Sequence, residues 1–184
     1  LQGSDRIVDG INKERDRLRE IRAGADLVID TSALNIHQLE RKISEIFRSG
    51  ENADLRVNIL SFGYKYGLPV DADLVMDCRF IANPHWKPEL RPLTGLDAPV
   101  RAEVLGAENV QDFLDKYQDL FETMASGFIA EGRKFLTLAV GCTGGKHRSV
   151  AIAQELVNRV TKGKKLAGKS IVAQAVHRDL GREI

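Results

Sequence analysis

Cysteine is almost missing from this sequence. Cys78 and Cys142 are the only two, far apart and outside any paired metal-ligand spacing, which excludes a disulfide-stapled secreted scaffold and a zinc site. Long apolar runs are missing too. None approaches the roughly 20 residues that a membrane helix requires, and the polar start Leu1-Gln2-Gly3-Ser4-Asp5 has no signal-peptide character. A reducing cytoplasm is the expected compartment. An excess of charge of either sign is also absent: 27 Lys and Arg against 26 Asp and Glu give a formal net charge of +1. No global field marks a nucleic-acid binder, so any such contact has to rest on a local patch. Internal repeats and low-complexity segments are not found.

What is present suits a folded α/β protein. The 184 residues are 43% hydrophobic and 29% charged, enough for one domain, or one domain plus a fragment of another. Residues 5–22 read as a charged helix with Ile7, Ile11, Leu18 and Ile21 as a thin apolar stripe, and residues 25–29 as a short strand. Asn35 with Gln38 three positions later forms a capping-box pattern ahead of a helix that places Leu39, Ile43, Ile46 and Phe47 on one face. The polar break at 50–53 is the best domain boundary. Strands are expected at 55–60, 74–76, 135–140 and 170–176. Helices are expected around Phe113, Leu114, Tyr117, Leu120, Phe121 and Met124, and over 149–160. Residues 81–99 carry four of the five prolines and read as an irregular excursion. Alternating strands and helices imply a mainly parallel, three-layer α/β sheet.

The chemistry concentrates in Gly141-Cys142-Thr143-Gly144-Gly145-Lys146-His147-Arg148-Ser149, between the 135–140 strand and the 149–160 helix. Such a loop lies where open α/β sheets bind ligands. Its glycines let backbone N–H groups converge, the helix start favours an anion, and Lys146 and Arg148 add full charges. A plain connecting turn would leave those cations crowded against a helix N-terminus. The loop is no Walker A motif, because His147 follows Lys146 where Ser or Thr is required. The Cys142-x5-Arg148 spacing also matches cysteine-dependent phosphatases, in which a thiolate attacks phosphorus; Gly141 stands where those enzymes usually carry His, and Asp77 is a conceivable general acid.

A second constellation, Asp77, Arg79, Asn83, His85, Trp86 and Arg91, surrounds the excursion. It supplies the groups a sugar or nucleotide needs: a carboxylate, an amide, cations and an apolar ring. The alternative is a self-contained network that holds an irregular loop, with Trp86 as its core plug. His37 is expected at the surface. His177-Arg178-Asp179 ends a strand, with function and structure equally open. Lys162, Lys164, Lys165 and Lys169 form a basic run, either a solvated loop or a place for phosphate-backbone contacts.

Two long segments carry a resemblance. One is Ser61-Phe62-Gly63-Tyr64-Lys65-Tyr66-Gly67-Leu68-Pro69, continued by Asp73, Asp77, Arg79-Phe80, Asn83-Pro84-His85-Trp86 and Leu90-Arg91-Pro92-Leu93-Thr94-Gly95. The other is the Gly141–Val150 stretch with His177-Arg178 beyond it. Together they resemble the C-terminal domain of the RapZ family of RNase adaptors and P-loop nucleotide-binding proteins. The resemblance implies that residues 1–50 are the tail of an N-terminal P-loop kinase-like domain, with Leu1-Gln2-Gly3-Ser4 resembling a cloning remnant. Residues 51–184 would be a phosphofructokinase-like effector domain. ATP or GTP would bind the N-terminal domain, whose Walker motifs do not occur in this chain, and no cofactor is expected here. The effector domain would be a binding module that senses a phosphosugar, glucosamine-6-phosphate first, through Asp77, Arg79, His85, Cys142, Thr143, Gly144, Gly145, Lys146, His147 and Arg148. By the same resemblance it would contact small RNA through the basic run, partner an RNase and assemble as a homo-oligomer, with no membrane partner.

Overall fold

The computed structural model describes residues 7–47, 53–161 and 168–182. Four strands form one all-parallel sheet: β1 (Leu55–Gly63), β2 (Leu74–Asp77), β3 (Phe135–Cys142) and β4 (Ile171–His177), in the order β2-β3-β1-β4. The helices are α1 (Ile7–Ala23), α2 (Ile36–Phe47), α3 (Ala98–Leu105), α4 (Val110–Ala130) and α5 (Arg148–Thr161), with short 3-10 turns at Tyr64–Tyr66 and Pro84–Trp86.

β1 and β3 are buried along almost their whole length, as central parallel strands covered on both faces must be. Leu55, Val57 and Ile59 of β1 join Leu136, Leu138 and Val140 of β3 in a core closed by Val100 and Val104 of α3, Leu114 and Phe121 of α4, and Ile152 and Leu156 of α5. Each such fully buried side chain contributes about 1.5–3 kcal/mol. The opposite face meets the N-terminal segment, where Leu27 and Ile46 approach Asn58. Helices on both faces give the expected three layers. The N-terminal cover is loose: cavities of about 690 and 490 Å³ open between it and the sheet.

One expectation needs correction, and two further features go beyond the sequence reading. Residues 25–29 form no strand, because no neighbouring strand offers them a hydrogen-bond ladder among the described residues. The residues of the α1 stripe, Ile7, Ile11, Leu18 and Ile21, are all exposed. Helix α3 was not among the expected helices; its Pro99, which closed the expected excursion, occupies the first turn, where its missing N–H has no partner to lose. The strands also run further than their sequence limits, β1 to Gly63 and β3 to Cys142. The capping box is present in full: Gln38 N–H donates to Asn35 Oδ1 and Asn35 N–H to Gln38 Oε1, both at 2.9 Å.

Candidate functional site

The strand order places the site. From β1 the chain turns toward β2 on one side, and from β3 it passes through α5 to β4 on the other. The carboxyl ends of these two adjacent strands therefore flank a topological switch point, the usual ligand crevice of an open α/β sheet. Gly63 and Cys142 are register partners there, and Lys65 N–H donates to the Thr143 carbonyl at 3.2 Å. The two loops are thus joined edge to edge.

The close approach requires glycine. A Cβ on Gly63 would lie 2.6 Å from the Gly144 carbonyl carbon, and one on Gly145 would lie 2.8 Å from the Gly63 nitrogen. Gly145 also has φ +77°, in the left-handed region. Its N–H donates to Cys142 Sγ at 3.2 Å, and that sulfur lies 3.1 Å from Ser149 Oγ. The Cys142 side chain is buried beneath the loop.

Arg148 opens α5 and is 5% exposed. Its Nη1 donates to the Arg79 carbonyl at 3.1 Å and the Ile81 carbonyl at 2.9 Å; its Nη2 donates to Thr143 Oγ1 at 3.2 Å. Its buried Nε has no acceptor among the described residues. The Nε–Nη2 edge, the one that pairs with carboxylate or phosphate oxygens two at a time, therefore has Thr143 Oγ1 as its one acceptor among the described residues. Lys146 Nζ donates to the Arg91 carbonyl at 3.0 Å, and the Lys146 carbonyl accepts from Gly95 N–H at 2.8 Å.

The second constellation comes to the same place. Arg79 Nε reaches both oxygens of Asp77, at 3.0 and 2.9 Å, and its guanidinium stacks 4.0 Å from the Tyr64 ring centroid. Those bonds from Arg79, set against partial burial, hold the Asp77 carboxyl below the usual aspartate value. An ionised, clamped Asp77 is poorly suited to donate a proton. The His85 ring lies 6.1 Å from the buried His147 ring and 5.9 Å from Trp86. Trp86 is 75% exposed, which overturns the core-plug alternative: the Asn83-capped turn that carries it stands at the surface, and the core beneath is filled by Ile81 and Leu90.

Of the basic run, Lys162, Lys164 and Lys165 lie outside the described residues. Lys169 is exposed and lies 3.7 Å from Asp54, at the amino end of β1 and so away from the loop. His37 is exposed, as expected. Among the described residues no group of three or more His, Cys, Asp or Glu is placed to hold a metal, and no helix is long and apolar enough to cross a membrane.

Sequence reasoning passed over Asp179 as a specific support. Its carboxylate is fully buried and accepts from Gly63 N–H at 2.8 Å, from Arg178 and from Arg182. Burial pushes it up, but the bonds from Arg178, Gly63 and Arg182 outweigh that and leave it below the ordinary value. His177 takes the other half of that strand end, with Nδ1 at 2.8 Å from Ser61 Oγ and Nε2 at 2.9 Å from Gln154 Nε2. The His-Arg-Asp sequence was the available signal, and its role is to brace the loop from behind. Cys78 sits beside the site with its thiol donating to the Gly141 carbonyl at 2.9 Å, and burial pushes that thiol well above its ordinary value.

Comparison with known proteins agrees with this architecture. Residues 55–181 match the RapZ C-terminal domain, and residues 1–51 match the RapZ-like N-terminal domain. The chain belongs to the RapZ-like family. Similar family members include nucleotide-binding proteins from Thermobifida fusca (54% identical, 60% of the relative's length), Acidothermus cellulolyticus (56%, 58%) and Streptomyces coelicolor (53%, 59%), each aligned over all of this chain. The chain thus spans about 60% of the length of the curated relatives it matches.

Proposed function

We propose that this chain supplies the ligand-sensing part of a RapZ-like nucleotide-binding protein, and that its Cys142–Arg148 loop takes the phosphate of a phosphosugar, glucosamine-6-phosphate being the first candidate. The observation that carries the reading is the Nε–Nη2 edge of Arg148, whose buried Nε has no acceptor among the described residues. A buried guanidinium edge is costly to leave unfilled, and a phosphate oxygen pair fits it. Asp77, Arg79 and His85 then stand where the sugar hydroxyls and amine would lie. Nucleotide binding, which the relatives' names state, belongs in this proposal to the remainder of the longer protein, as ATP or GTP binding. Small-RNA binding, an RNase partner and homo-oligomeric assembly are proposed for that protein by family resemblance. Salt-dependent RNA affinity that weakens on neutralising the lysine run is the test of the RNA role.

The experiment is thermal melting and calorimetry with glucosamine-6-phosphate, other hexose phosphates and inorganic phosphate. At a ligand concentration 100 times Kd, binding adds about 2.7 kcal/mol of stability. A shift specific to one phosphosugar supports the sensor. An equal shift with every anion reduces the site to a generic oxyanion loop. No shift with any of them refutes the reading.

Cysteine phosphatase is the second reading, favoured by the Ser149 hydroxyl and the Gly145 N–H gathered on the Cys142 sulfur. The clamped state of Asp77 opposes it. Aryl phosphate turnover that vanishes in Cys142→Ser would restore it to first place.

A further inference from the structure

The excursion that carries Trp86 is fastened to the anion loop at both ends. Arg148 Nη1 holds its start, through the Arg79 and Ile81 carbonyls. Lys146 holds its far part, through the Arg91 carbonyl and Gly95 N–H. Between these ties the segment has a 3-10 turn at Pro84–Trp86, rests on buried Ile81 and Leu90 and on the Lys87–Glu103 ion pair, and presents Phe80 and Trp86 largely to solvent, 55% and 75% exposed. The two residues that fasten it are the same two cations that would meet an anion.

A guanidinium can do both jobs at once, because its five N–H donors divide between two edges. Here Nη1 donates to two backbone carbonyls, while among the described residues Nε has no acceptor and Nη2 has only Thr143 Oγ1. An oxyanion on the Nε–Nη2 edge would displace the exposed Thr143 hydroxyl and leave the Nη1 bonds in place. It would also fix the plane of the guanidinium, and with it the carbonyls that Nη1 holds.

We infer that Arg148 is a shared strut, through which occupation of the anion loop by phosphate orders residues 79–95 and the exposed aromatic rim they carry. This rests on the reading of the loop as an anion site and adds what that site controls. The coupling is reciprocal: whatever fixes the excursion tightens anion binding by the same factor. Thr143 acts as the removable cover, and Arg148 is a positioning residue for the excursion as well as a ligand to the anion.

The test joins hydrogen exchange with the fluorescence of Trp86, the only tryptophan. Inorganic phosphate and glucosamine-6-phosphate are the probes, and binding is measured separately by calorimetry. Ligand should slow amide exchange across 79–95 and raise Trp86 anisotropy while leaving exchange in β1 and β3 unchanged. Without ligand, Arg148→Lys keeps the charge but loses the fork, and should speed exchange at 79–95 by about tenfold, the effect of losing a hydrogen bond from a charged donor. Should that variant fail to fold, Lys146→Met, which removes the Nζ bond to the Arg91 carbonyl, should speed exchange at 87–95. Calorimetric binding with no change in exchange or anisotropy overturns the inference and leaves the anion site standing. Absence of binding refutes the anion site, and the ligand-free arm then decides the strut: unchanged exchange in the folded variants overturns it.

Discussion

The N–H of Gly63, the last residue of β1, donates to the buried Asp179 carboxylate at 2.8 Å, across 116 positions of sequence. Gly145 lies against the same residue: a Cβ added to it would sit 3.0 Å from Asp179 Cβ. The anion loop is thus backed by a carboxylate whose charge is balanced on its far side by Arg178 and Arg182. This arrangement keeps a buried negative group behind the proposed anion site without an opposing net charge.

Acidification should lower stability in two stages. Burial holds His177 below its ordinary value of 6.5, so the folded state keeps it neutral while the unfolded chain takes up the proton. Its contribution is complete above about 6.5 and declines as the pH falls beneath that value. Asp179 and Asp77 are held below 3.8, so their contribution is present above about 4 and is lost as the pH falls through their folded values. Urea unfolding across this range should show both stages, and His177→Gln should remove the first. An unaltered profile in that variant would exclude His177 as its source.

Gly145→Ala should destabilise by about 1–3 kcal/mol from backbone strain alone, more with the contact to Gly63, and should weaken phosphate binding. Gly127→Ala is the control, since its α4 position has no atom within 4 Å of the added methyl; it should stabilise by about 0.5–1 kcal/mol. Denaturant titration of both variants measures this. Equal effects would mean that the loop tolerates a side chain.

Cys78 should resist alkylation in the native state, because its thiol is buried, bonded to the Gly141 carbonyl and pushed well up. Its labelling rate should follow unfolding and rise with denaturant. Rapid labelling in buffer would show that the β2–β3 end opens locally.

Asn35→Ala should cost about 1 kcal/mol of α2 stability by removing one half of the reciprocal cap. Exchange of the α2 amides reports it. No change there would mean that α2 is held by Ile46 and its neighbours alone.

The sequence by itself determined the α/β class, the parallel strands, the α2 cap and the glycine-rich loop between β3 and α5, because each is set by local pattern. Apolar runs between glycines mark β1 and β3, Asn35-x-x-Gln38 satisfies its own helix start, and the Gly144-Gly145-Lys146 turn precedes an amphipathic α5. It also put Asp77 beside Arg79, two positions on, where the structure pairs them. Tertiary structure decided the rest. Residues 25–29 have strand-like composition but find no ladder partner among the described residues, and the α1 stripe is exposed. Trp86 faces outward since Ile81 and Leu90 already fill the space beneath. The division of the Arg148 donors between carbonyls and an unfilled edge, and the Gly63–Asp179 bond, depend on contacts between distant segments, which no local pattern encodes.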